Sequence, residues 1–105
     1  MSERYWSEER MLYTDGYFEA LWGRWQNGTK KCLGIHWLET EESYPCPKLY
    51  GGELGWLVIP SFLTMSILKE LLVCVAKNSS HGSADVIIAA IRECAEQSQN
   101  ERQGK

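Results

Sequence analysis

Glu19 and His36 are the two residues whose types and placement could do chemistry together. A carboxylate set against an imidazole is the pairing that orients a catalytic base. No nucleophile is positioned beside them, since the nearest Ser and Thr fall in loops. The same two residues also make an ordinary cross-strand pair. Cys32, His36 and Cys46 invite a metal reading. On a strand, however, residues four apart stand roughly 13 Å from each other at ~3.3 Å per residue. Zinc ligands sit ~2.0–2.3 Å from the ion, so Cys32 and His36 cannot share one. No metal and no cofactor are predicted.

The other cysteines offer little more. Cys46 lies between Pro45 and Pro47 and is the thiol most open to solvent, but only Lys48 is near enough to activate it. Cys74 and Cys94 fall on apolar helix faces, where a free thiol behaves as a small hydrophobe. His81, in Ser-Ser-His-Gly, reads as a solvated loop residue.

Two groups point to binding. Arg24, Trp25, Lys30 and Lys31 cluster at a hairpin tip, where a base could stack and a phosphate be met. The same residues also make a solubilising tip, with the Lys30 stem across Trp25. Tyr44, Tyr50 and Trp56, with Tyr17 and Trp25, could line a pocket or an interface. Equally, Trp56 and Tyr50 could cap the edge of the core.

The elements that carry these residues follow from turn chemistry and alternation. Asn27-Gly28 suits a two-residue type I′ turn, because both central positions need φ > 0. Gln26 then faces Thr29, Trp22 faces Leu33, Ala20 faces Ile35, Phe18 faces Trp37, and Glu19 faces His36. A register shifted by one residue would scatter the apolar members. Asp15-Gly16 is a second such dipeptide, and a two-residue turn there sets Tyr13 against Phe18 and Met11 against Ala20. The outcome is a three-stranded meander over 10–14, 17–26 and 29–39. One face holds Met11, Tyr13, Phe18, Ala20, Trp22, Leu33, Ile35 and Trp37. The back face, with Tyr17, Glu19, Leu21, Trp25, His36 and Leu38, is neither polar nor apolar, so a partner is expected to cover it.

Residues 39–52 form a loop with an acidic start, two prolines and two glycines. Leu54–Ile59 is a short strand, apolar on both faces and hence predicted to be central, stopped by Pro60. A helix capped by Ser61 runs to about Lys77. Its apolar arc exceeds what one sheet contact needs, so it is expected to be covered on two sides. Ser83 caps a last helix over 84–97, with Asp85 in its first turn and Ile87, Ile88, Ile91, Cys94 and Ala95 as its stripe. Residues 1–9 read as a short helix or a flexible arm, and those from 99 as a disordered tail.

The predicted fold is thus α+β, a single domain over 1–105: an antiparallel meander of about four strands, then two C-terminal helices on one face. At 105 residues the chain holds one core. The net charge of −3 argues against a nucleic-acid binder, and the five Trp and five Tyr favour an interface. Leu54–Ala76, broken by Pro60 and Lys69-Glu70, is too interrupted to span a membrane. The N-terminus lacks an apolar leader, so a cytoplasmic chain with free thiols is expected. The leading functional expectation is a small, non-enzymatic binding or protein-interaction module, a homodimer or another protein's partner. Its context would be accessory, on a bacterial mobile element, an expectation that rests on size and style. The alternatives are a small enzyme or ligand-binding protein using Glu19 and His36 beside the aromatic loop, and a single-strand nucleic-acid binder.

Overall fold

Alternation and turn chemistry agree most closely in the hairpin that begins at Phe18. The computed structural model describes residues 6–26, 28–38, 46–47 and 55–103. In chain order these form β1 (Trp6–Thr14), β2 (Phe18–Trp25), β3 (Lys31–Trp37), β4 (Leu57–Val58), α1 (Ser61–Lys77), a 3-10 turn at Ser79–His81, and α2 (Ala84–Gln103). The strands make one antiparallel sheet in the order β1-β2-β3-β4. Both helices pack on one face, giving the α+β arrangement expected.

The β2–β3 pairing has the anticipated register: Phe18 opposes Trp37, Glu19 His36, Ala20 Ile35, Leu21 Gly34 and Trp22 Leu33. The turn differs. Pairing stops at Arg24 and Lys31, so Gln26 does not pair with Thr29. The tight turn is instead closed by the Gly28 N–H on the Trp25 carbonyl at 3.0 Å, with Gln26 at φ 51°. Arg24 holds this wider loop by donating to the carbonyls of Gly28 and Thr29. Asn27 lies outside the described residues.

β1 departs further from a regular strand. It begins at Trp6 rather than Arg10, and the pairing nearest the turn is Thr14 with Glu19. Asp15 makes this longer turn by accepting the N–H groups of both Tyr17 and Phe18 at 2.9 Å. Two irregularities follow, between Met11 and Tyr13 and between Ser7 and Arg10. A bulge adds a residue and turns over every side chain beyond it. Leu12 therefore enters the core, fully buried, while Met11 pairs with Leu21 on the back face and is 47% exposed. This corrects the assignment of Met11 to the core. At the second bulge Glu8 adopts φ 54°. Gly23 allows it, because a Cβ there would lie 2.8 Å from the Glu9 Cα.

Beneath the helices the core joins Leu12, Ala20, Trp22, Leu33 and Ile35 to Ile59, Leu68, Leu71, Val75, Ile87 and Ala90. Trp37, expected in this core, sits at its margin, partly exposed with its ring T-shaped against Phe18 at 5.4 Å. Of the strand expected over 54–59, Leu54 lies outside the described residues, and among the rest only Leu57–Val58 pairs, at the sheet edge against β3, with Leu57 exposed.

Pro60, not Ser61, is the residue before α1, and no side chain caps the helix. Thr64, Leu68, Leu71 and Val75 form its buried stripe. The outward face leaves Phe62, Leu63 and Val73 exposed. The wide apolar arc is thus covered on one side and open on the other. α2 continues through Gln103 instead of ending near Gln97, and residues 99–103 are helical rather than a tail. No helix among the described residues is long and apolar enough to cross a membrane.

Candidate functional site

The register that brings Glu19 opposite His36 also makes the pair. His36 Nε2 lies 2.8 Å from Glu19 Oε1, and Nδ1 lies 2.8 Å from the Gly55 carbonyl. Thr14 Oγ1 donates to the other Glu19 oxygen at 2.9 Å. Trp56 stacks on the imidazole, centroids 3.6 Å apart and planes 16° from parallel. A backbone carbonyl only accepts, so Nδ1 carries a proton. The Nε2–Oε1 contact needs a second proton between the two groups. Both ring nitrogens are then consumed, and His36 is only 6% exposed. No lone pair or open edge is left to take a proton from a substrate. The arrangement ties β1, β2, β3 and the segment at Gly55–Trp56 into one polar cross-link.

The back face around this pair is closed by the chain itself. Trp6, 2% exposed, reaches across β2 so that its six-membered ring lies over Gly34; a Cβ at that glycine would come within 2.8 Å of the ring. Trp6 also packs on Trp25 at 5.3 Å and Trp56 at 6.5 Å. Its indole N–H is buried with no partner among the described residues.

The expected partner surface is therefore divided. Leu21, placed on an open face by alternation, is buried, because the β1 bulges carry Trp6 over its side of the sheet. Trp25 and Trp56 are part of the same cover. Leu38 donates its N–H to the Tyr17 carbonyl at 2.8 Å, and the Tyr17 side chain stays exposed. Tyr44 and Tyr50 lie outside the described residues.

At the hairpin tip, the basic residues have internal partners. Arg24 pairs with Glu8 at 3.1 Å and Lys31 with Glu93 at 3.1 Å. Glu93 of α2 reaches the sheet and also accepts the Trp22 indole N–H at 2.6 Å. Burial acts to raise its carboxyl, but Trp22 and Lys31 outweigh that and hold it below the ordinary range. One turn on, Gln97 accepts from the Lys31 N–H at 2.8 Å and donates to its carbonyl at 3.0 Å. Gln97 extends the stripe of Ile87, Ala90 and Cys94, and that spacing is the signal that could have found it. A cavity of about 200 Å³ lies beside this tie, between Trp22, Ile59, Thr64 and Cys94.

His81 is not a free loop residue. Its ring sits T-shaped against Tyr13 at 5.5 Å, with Nδ1 3.5 Å from the hydroxyl, which itself lies 3.1 Å from Asp15 Oδ2. Burial, then the bond to Asp15, push the Tyr13 phenol up. Burial works against the Asp15 charge, but the Tyr17 and Phe18 N–H groups and the Tyr13 hydroxyl hold its carboxyl below the ordinary range. Next to this cluster a groove of about 390 Å³ opens between α1 and the sheet. Sequence reasoning missed it, because the turn after Thr14 and the bulge at Leu12 set its shape.

The four cysteines are free, with Cys46 exposed and Cys94 buried. Burial raises the Cys32 thiol above its ordinary value, which leaves it a poor nucleophile. Among the described residues no three His, Cys, Asp or Glu gather as metal ligands. Comparison of the chain with protein-family models, curated proteins and solved structures finds no match in any of the three.

Proposed function

We propose that the chain is a non-catalytic interaction module that self-associates through the outer face of α1. The observation that carries this reading is the exposure of Phe62, at 80%, with Leu63 and Val73 also exposed on the same helix. Phe62, Ser66, Lys69 and Val73 follow the i, i+4, i+7, i+11 spacing of one helical stripe. Two copies related by a two-fold axis would lay such stripes antiparallel. Phe62 of each copy would then meet Val73 of the other, and Ser66 would meet Lys69. An isologous contact needs this kind of self-complementarity. Burying a large apolar side chain contributes about 1.5–3 kcal/mol, so a symmetric pair of such contacts supports weak to moderate association.

Trp6 and Trp56 cover the centre of the back face, and Met11 and Tyr17, which stay exposed beside them, are each less exposed than Phe62. Strand addition at β1 is discouraged by its two bulges and by Glu8, Glu9 and Arg10. An enzyme built on Glu19 and His36 is disfavoured by the burial of the imidazole. Nucleic-acid binding at the tip is disfavoured by the ion pairs of Arg24 and Lys31. A cytoplasmic setting, which keeps four free thiols reduced, suits this reading.

Multi-angle light scattering at tens of micromolar tests it. The wild type is expected to run as a dimer, and Phe62→Glu as a monomer with unchanged circular dichroism. A strictly monomeric wild type would remove the proposal.

A further inference from the structure

We propose that the groove between α1 and the sheet is a binding site for a small lipophilic cation, a protonated or quaternary amine on an apolar body. This goes beyond self-association: the groove shares Ser66 with the association stripe but otherwise takes the flank of Ile67, Glu70, Leu71 and Cys74. The groove is about 390 Å³, near the lower end of the ~300–1,000 Å³ typical of small-molecule sites. Its floor is aromatic: Tyr13 and Phe18 have ring centroids 6.1 Å apart, tilted by 57°. Its helical wall is Ile67, Leu71 and Cys74.

The charged side chains that line this apolar space are both acidic. Asp15 borders it from the β1–β2 turn and Glu70 from α1, and no Lys or Arg is among the residues that line it. Lys69 precedes Glu70 in sequence, but the 100° step between helical residues carries it round to the outer face. The Asp15 carboxylate is fixed by the Tyr17 and Phe18 N–H groups and by the Tyr13 hydroxyl, so its charge is in place before any ligand arrives. His81 does not line the groove, but its Nδ1 lies 3.5 Å from the same Tyr13 hydroxyl. Aromatic side chains beside carboxylates favour a cation whose body is apolar, and the carboxylates repel the matching anion. Burying the body against Ile67 and Phe18 supplies the affinity, and the two acids select the sign.

The test uses two probes with the same ring system, 1-naphthylmethylammonium and 1-naphthoate, titrated into the ¹⁵N-labelled full chain. The cation is expected to shift the amides of Phe18, Ile67 and Cys74 and to bind at least about tenfold more tightly than the anion. Asp15 also builds the turn, so its replacement risks the fold. Glu70→Lys, on an exposed helix position, should instead weaken the cation severalfold with the helical spectrum unchanged. Phe62→Glu should leave cation binding as it is, which separates this site from the association surface. The proposal is overturned by equal affinity for the two probes, shifts that map elsewhere, no binding of either at millimolar concentration, or a Glu70→Lys chain that binds the cation undiminished.

Discussion

The two faces of the sheet are both covered at their centres, but by different means. The helix side is a conventional aliphatic core, with Leu12, Leu33, Leu68 and Ile87 fully buried. Many similar residues share that work, and no single hydrogen bond defines it. The other side is closed by few, large and specific parts: Trp6 over Gly34, Trp56 over His36, and Glu19 bonded to the imidazole. The centre of a face that looks open to a partner in sequence is in fact an internal aromatic layer, with Met11 and Tyr17 left exposed beside it. On the opposite side of the molecule α1 exposes Phe62, Leu63 and Val73, the residues that the proposed self-association uses.

This contrast can be broken by substitution. The largest effect is expected for Trp6→Ala, which should cost about 3–5 kcal/mol in chemical denaturation, as much as a core Leu68→Ala at about 2–5 kcal/mol. If Trp6→Ala falls within about 0.5 kcal/mol of wild type, as an ordinary surface change does, the back face is not a second core. His36→Phe should follow at about 3 kcal/mol, because it leaves the Glu19 carboxylate and the Gly55 carbonyl without their partner. Gly34→Ala should cost about 1–3 kcal/mol by pushing the Trp6 ring away, with a matching change in tryptophan fluorescence.

Acid should act on the helix side. The Glu93 and Asp15 carboxyls are held low in the folded chain, so their stabilisation is complete above the ordinary values of 4.5 and 3.8. It is lost as pH falls through the lowered folded values, because the unfolded chain takes up protons first. Denaturation midpoints should therefore fall between pH 5 and pH 3, and Glu93→Gln should flatten that fall.

Legibility in the sequence follows the same division. Alternation and a turn dipeptide determine the β2–β3 register, and Glu19 opposite His36 follows from it without further information. The pattern cannot report a bulge, so Met11 and Leu12 exchange places and the reach of Trp6 stays hidden. Gly34 is silent until the ring above it is known. The width of the apolar arc on α1 is legible, but not that only one side of it is covered. The groove at Tyr13 and Phe18 depends on the length of a turn that Asp15 stretches by accepting two backbone N–H groups.

Sedimentation velocity on three chains at tens of micromolar tests the central contrast most directly. The wild type should sediment as a dimer, Phe62→Glu on α1 as a monomer, and Met11→Glu on the back face as a dimer. If Met11→Glu is the monomer and Phe62→Glu stays dimeric, the interface lies on the back face and this assignment of the two surfaces is wrong.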